Sequence, residues 1–201
     1  MDTILMSTTN IHSHITYANS AFITVSGFSE EQLINQPHNI VRHPDMPVEA
    51  YADMWFTLKQ GDSWTGLVKN RRNNGDHYWV RANVTPVYQQ EQLAGYISVR
   101  NTHSAEEIKY AETLYSAVQK KQAGSRKFYK GLVVRTGLFS PLSLLQKLSV
   151  RWRLRLAVLA VGLIPALLAF SGMNPLWLLA LTLLLIVIMD QFLQKQIAQP
   201  I

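Results

Sequence analysis

Between Gln36 and Asp45 the chain gathers two imidazoles, a guanidinium, an amide and a carboxylate, on His38, His43, Arg42, Asn39 and Asp45. Arg42 and His43 suit a phosphate, because a guanidinium fork holds two oxygens at once. A second run, Leu67 to Arg81, adds Asn70, Tyr78 and Trp79. Asn70 falls in an expected strand, where a buried amide needs partners and can donate or accept. Trp55, Trp64, Tyr78 and Trp79 offer flat walls for a planar ligand. Neighbours along a strand face opposite sides, so Tyr78 and Trp79 do not both line one cavity. Each group also has a plain reading. Arg42 and Asp45 make a surface ion pair or a local cap, Trp55 and Trp64 are core residues, and His38 and His43 belong to turns.

The elements that must position these groups are legible. Residues 3–18 read as two short strands turning at Thr8 to Asn10. Asn19 or Ser20 caps a helix through Val25, which Ser26 and Gly27 end. Ser29 to Gln32 open a second helix with an acidic first turn, favoured by the helix dipole, and it stops before Pro37. Pro47 and Glu49 start a longer helix closed by Gly61, with Tyr51, Met54, Trp55 and Leu58 on one face. Strands follow around Trp64–Arg71, His77–Gln89 and Gln92–Arg100. The first two are joined through Asn73 to Asp76, where Asn-Gly tolerates positive φ. Ser104 and Glu107 form a capping box for a helix to about Lys121. Its stripe of Ile108, Ala111, Leu114, Tyr115 and Val118 serves equally a helix lying on its own sheet and a signalling or dimer helix. Two strands, short helices and three long strands predict an α+β domain with one five-stranded antiparallel sheet.

Charge divides the 201 residues unevenly. Residues 1–112 carry eight Lys/Arg and twelve Asp/Glu, whereas residues 113–201 carry eleven and one. The basic half is followed by 34 uncharged residues between Arg155 and Asp190, which directs the charge to an anionic membrane surface and away from nucleic acid. One helix of that length would span about 51 Å at ~1.5 Å per residue, against a hydrocarbon core of roughly 30 Å. The turn residues Ser171 to Pro175 break it into a helical hairpin, Leu156–Phe170 and Leu176–Met189. Pro165 bends the first arm. Arg151, Arg153 and Arg155 precede that arm and the turn is uncharged, so the linker and the C-terminus face the cytoplasm. Trp152 and Trp177 stand where interfacial aromatics belong.

Several chemistries are excluded. The chain has no cysteine, so it builds no disulfide, zinc-thiolate site or thiol nucleophile. Gly61 and Gly66 are followed by Leu67 and Val68, which is not a P-loop, and no Gly-x-Gly-x-x-Gly occurs. No nucleophile-base-acid set stands out, and a non-enzyme is expected.

The blocks Arg42-His43-Pro44-Asp45-Met46-Pro47, Ala52-Asp53-Met54-Trp55-Phe56 and Lys69-Asn70-Arg71-Arg72 occur in order. Gly75-Asp76-His77-Tyr78-Trp79-Val80-Arg81 and Lys130-Gly131-Leu132-Val133-Val134-Arg135 follow them. Together they resemble the N-terminal region of bacterial aerotaxis receptors, which are PAS sensors. The resemblance implies a PAS fold over 1–102, a helix and basic linker over 103–155, a transmembrane hairpin over 156–193 and the start of a HAMP-like segment over 194–201. It implies non-covalent FAD, with Asn19, His38, Arg42, His43, Asp45, Asp53, Trp55, Trp64 and Asn70 matching positions tied to FAD binding or signalling. It also implies a homodimer on the lipid of the bacterial inner membrane that senses redox state or oxygen. A full receptor would control the chemotaxis histidine kinase through its coupling protein. The missing cysteine excludes the flavin adduct of LOV photoreceptors. Two alternatives stay open: haem held by His38 or His43, and a cofactor-free module docking on a partner through its sheet.

Overall fold

The computed structural model describes residues 4–137, 143, 148, 150–170, 172 and 174–198. Most of the basic linker between 138 and 149, Ser171 and Met173 of the expected turn, and the terminal Pro200 and Ile201 lie outside the described residues. The chain divides into two compact units, one ending at Thr136 and one beginning at Gly137.

In the first unit, β1 (Leu5–Asn10) and β2 (Ile15–Ala18) pair antiparallel. The chain therefore reverses over Ile11 to His14, after the Thr8 to Asn10 turn that the sequence suggests. Helix α1 (Ser20–Ser26) is capped by Asn19 and ends on Gly27 in the left-handed region. Helix α2 (Glu30–Leu33) has a complete capping box between Ser29 and Gln32. A 3-10 turn over His38–Val41 leads to α3 (Val48–Lys59). Strands β3 (Trp64–Arg71), β4 (His77–Gln89) and β5 (Gln92–Asn101) complete one antiparallel sheet of order β2-β1-β5-β4-β3. The central place of β5 explains why the first and last strands of the domain are neighbours.

Helix α4 (Ala105–Gln119) carries the expected capping box and lies on its own sheet. Tyr115 donates its hydroxyl to the Leu67 carbonyl at 2.6 Å, and its ring centre lies 6.0 Å from that of Trp79. Arg81 on β4 pairs with Glu107. These contacts are those of a helix packed on its own sheet.

Residues 126–135, read from sequence as linker, form a further hairpin of β6 (Arg126–Tyr129) and β7 (Leu132–Arg135). Its tip, Lys130 and Gly131, takes positive φ at both residues, as a two-residue hairpin turn requires. Phe128 meets Tyr115 edge-on at 5.9 Å. The compact unit thus runs past Thr102 because α4 and this hairpin both pack onto the sheet domain.

Among the described residues of the second unit are two helices, Val150–Phe170 and Pro175–Ala198, in contact with each other. Both exceed the arms expected from the apolar run, since their flanking polar residues continue the helix; Pro165 lies inside the first. Large apolar side chains such as Leu163, Leu176, Trp177 and Leu179 are more than half exposed. Among the described residues no helix is long and apolar enough to cross a membrane, and side chains of the second helix are described only as far as Gln191.

Candidate functional site

A cavity of about 340 Å³ lies between the inner face of the sheet and the helices. Helix α3 lines it with Tyr51, Met54, Trp55 and Leu58, the stripe that its periodicity marked. Alternate residues of the strands line the other side: Trp64, Val68 and Asn70 from β3, Ala82 and Val84 from β4, Tyr96, Ser98 and Arg100 from β5. Trp55 meets Tyr96 edge-on at 5.3 Å. The Trp64 indole lies over Gly66, where an added Cβ would fall 2.4 Å from the ring. Exposed His12 and Asn39 belong to the lining as well, so the cavity opens beside the 3-10 turn. There Arg42 sits 4.1 Å above the Tyr51 ring, a cation–π contact that fixes the guanidinium at the opening.

The polar centre is Arg100, which is only 2% exposed. It donates from one terminal nitrogen to the Ser7 hydroxyl at 3.0 Å and to His38 Nε2 at 2.6 Å. A guanidinium only donates, so Nε2 must accept and His38 carries its proton on Nδ1. The other terminal nitrogen of Arg100 is buried without a hydrogen-bond partner. An unpaired buried cationic donor is costly, and Arg100 is among the residues that line the cavity. Burial lowers the Arg100 pKa to about 10, with Tyr78 and Tyr51 opposing the fall; Arg100 remains charged at neutral pH.

His38 is half-buried at the cavity wall. Burial and then the Arg100 charge push its pKa down from 6.5 to about 3. The unfolded chain then binds more protons than the folded one between those values. Stability should be fully present above pH 6.5 and decline as pH falls toward 3. Denaturant midpoints measured across that window check this, and His38→Gln should flatten the slope.

Of the nine residues marked by the resemblance, five line the cavity: His38, Arg42, Trp55, Trp64 and Asn70. Four do not. Asn19 ties local structure, accepting from Phe22 N at 2.9 Å and Met6 N at 3.0 Å and donating to the Ile4 carbonyl at 2.9 Å. Replacing it with alanine should lower stability by about 2 kcal/mol through the lost cap and strand contacts, read as a shifted denaturant midpoint. His43 accepts from Asp45 N, and the Asp45 carboxylate pairs with Lys69 at 2.6 Å. The Arg42–Asp45 pair considered from sequence does not form, because Arg42 turns to Tyr51 instead. Asp53 faces the β6–β7 hairpin and the Trp64 indole. Tyr78 is buried on the inner side and Trp79 meets Tyr115 on the outer side, as their alternation requires.

Sequence reasoning missed Arg100, Ser7, Tyr96 and Ser98. The available signal is an inversion on β5. Its polar set of Tyr96, Ser98 and Arg100 faces inward and is buried, while Ile97 and Val99 take the other face. A strand that turns its polar residues into a core is lining something polar.

This sheet order, with a cavity between the inner face and short helices, is that of a PAS domain, and residues 15–100 match the family model for the PAS fold. Over its length the chain is similar to an aerotaxis receptor. It is 45% identical to the aerotaxis receptor of Escherichia coli K12 over 200 residues, covering 100% of this chain and 39% of that receptor. It is 36% identical over 98 residues to the nitrogen fixation regulatory protein of Klebsiella pneumoniae, covering 48% of this chain and 20% of that protein. The chain thus spans less than half the length of these curated relatives. A crystal structure of the PAS domain of a protein from Colwellia psychrerythraea is 24% identical with a TM-score of 0.46, covering 51% of this chain and 87% of that one.

Proposed function

We propose that this chain is the sensory part of a signal-transduction receptor that holds FAD without a covalent bond and reports redox state or oxygen. The observation that carries the reading is a cavity walled in part by Tyr51, Trp55, Trp64 and Tyr96 and lined also by Arg100, whose buried guanidinium keeps one terminal nitrogen unpaired. A flavin ring has the carbonyl and ring-nitrogen acceptors that such a donor needs, and aromatic walls suit its faces. The cavity stands at the small end of the ~300–1,000 Å³ range for ligand pockets, room for a ring system rather than a whole dinucleotide. The remainder would leave past the 3-10 turn, where Arg42 suits a phosphate. Bound flavin would supply reversible electron transfer. Arg100 would hold the polar edge of the ring, Asn70 would donate or accept as that edge changes, and His38 would keep Arg100 oriented through Nε2. The same geometry speaks against haem. His38 would have to surrender Arg100 to bind iron, and His43 is outside the cavity.

The exposed apolar helices and the Arg151, Arg153 and Arg155 cluster support a membrane anchor in the bacterial inner membrane, with the PAS domain on the cytoplasmic side. Control of a chemotaxis histidine kinase through a coupling protein, as a homodimer, would belong to the full receptor. The kinship with sensors supports a non-catalytic role.

The test is an absorbance spectrum of the gently solubilised chain with chromatography of acid-released cofactor. Flavin bands with released FAD are the expected outcome. A spectrum that stays featureless after FAD is added back would sink the reading.

A further inference from the structure

The Asp53 carboxylate is buried (8% exposed) on α3, yet none of its resolved contacts is with a cation. Oδ2 accepts from the Trp64 indole Nε1 at 2.9 Å and from Gly131 N at 2.7 Å, and Oδ1 accepts from Lys130 N at 2.7 Å. Three neutral N–H groups therefore converge on one charge, and hydrogen bonds to a carboxylate are the strong kind. Two of them come from the tip of the β6–β7 hairpin, and the third comes from a wall of the cavity. The tip also fits tightly. At Gly131, with φ +81°, an added Cβ would sit 2.0 Å from the Thr65 carbonyl oxygen. A lone two-stranded hairpin is marginal in water, so its order rests on this seat, on Phe128 against Tyr115 and on the half-exposed Lys130–Asp62 pair. That surface pair contributes little.

We infer that Asp53 is a joint rather than a ligand-binding residue: it fastens the hairpin tip to Trp64, so that a ligand moving Trp64 changes how firmly residues 126–135 are held. Trp64 shares Oδ2 with Gly131. A shift of the indole re-aims the carboxylate, and the strength of both tip hydrogen bonds follows its direction. β7 continues in sequence into Thr136 and Gly137, where the second unit begins, so the joint acts on the segment that leaves the sensor. Coupling of this kind is reciprocal: whatever loosens the tip must also alter the Trp64 side and the affinity of the cavity for its ligand. The joint itself is independent of ligand identity; only its ligand arm rests on the flavin reading.

The experiment is amide hydrogen exchange on the full chain in mild detergent, read at Lys130 and Gly131, with the Gly75 amide of the β3–β4 turn as an internal reference. Trp64→Phe keeps an aromatic wall and removes the indole N–H. Exchange at both tip amides should rise about tenfold, the loss of roughly one hydrogen bond, with Gly75 unchanged. Wild-type exchange at the tip would overturn the joint. A general failure of Trp64→Phe to fold would show as fast exchange at Gly75 too. Gly131→Ala then decides from the other side: the Trp64 indole N–H should lose protection, and an unaltered indole would refute the coupling. FAD is the ligand probe. Binding seen by absorbance should change tip exchange in the wild type and leave it unchanged in Trp64→Phe. Binding without any change at the tip would overturn the joint while leaving the flavin reading intact. Absence of FAD binding would remove that reading, and the two ligand-free arms would still decide the joint.

Discussion

Arg100→Met should weaken FAD binding by between about tenfold and a hundredfold, the equivalent of one charge-assisted hydrogen bond of roughly 1.5–3 kcal/mol. The ligand-free protein should be no less stable for it, and this pairing of outcomes makes the prediction sharp. In the ligand-free domain Arg100 is a buried cation facing aromatic rings, a hydroxyl and a neutral imidazole, with one terminal nitrogen unpaired. Exchanging a buried charge that has no counter-ion for an apolar side chain of similar length removes its desolvation cost, and the Ser7 hydroxyl, 3.3 Å from His38 Nε2, remains as a donor to that nitrogen. A residue kept for packing would behave in the opposite way, with stability lost and binding falling only as a consequence. Titration of FAD by fluorescence, beside denaturant unfolding of the ligand-free chain, separates the two. Wild-type affinity in Arg100→Met would mean that the unpaired nitrogen does not serve the ligand.

The largest stability effect is expected at Asp53. Asp53→Ala strands the Trp64 indole and the Lys130 and Gly131 amides together. Each unsatisfied buried donor costs about 1–3 kcal/mol, and water reaching the half-buried tip recovers part of this. A net loss of about 3 kcal/mol follows for the first unit. Asp53→Asn should lie between, because its amide keeps one acceptor oxygen but turns an NH2 group toward donors. Unfolding followed by near-ultraviolet circular dichroism would check the order wild type, Asn, Ala. Equal stability of all three would show that the contacts are not made in solution.

These two residues also mark how far the sequence could be read. Asp53 was visible as part of a family block, but its task was not. Its donors lie eleven residues away on β3 and nearly eighty away on the hairpin tip, and no local spacing announces such a meeting. Arg100 carries no local signal, because a cation on a strand beside Val99 is compatible with a solvent face as well as with a lined cavity. Only the covering of the outer face by α4 and of the inner face by α3 decides between them.

What the sequence determined alone was local. Asn19, Ser29 and Ser104 cap helices through hydrogen bonds to residues three away. Asn73 to Asp76 turn because Asn-Gly accepts positive φ, and the α3 stripe points inward because a helix repeats every 3.6 residues. Short-range sterics and hydrogen bonding fix such features without a partner. The tertiary structure decided the non-local ones: which face of β5 is inside, which five of nine marked residues reach the cavity, and that residues 126–135 form a hairpin rather than a linker. Each depends on what a segment packs against, and the energy of burying an arginine or seating a hairpin tip exists only once distant strands and helices have met.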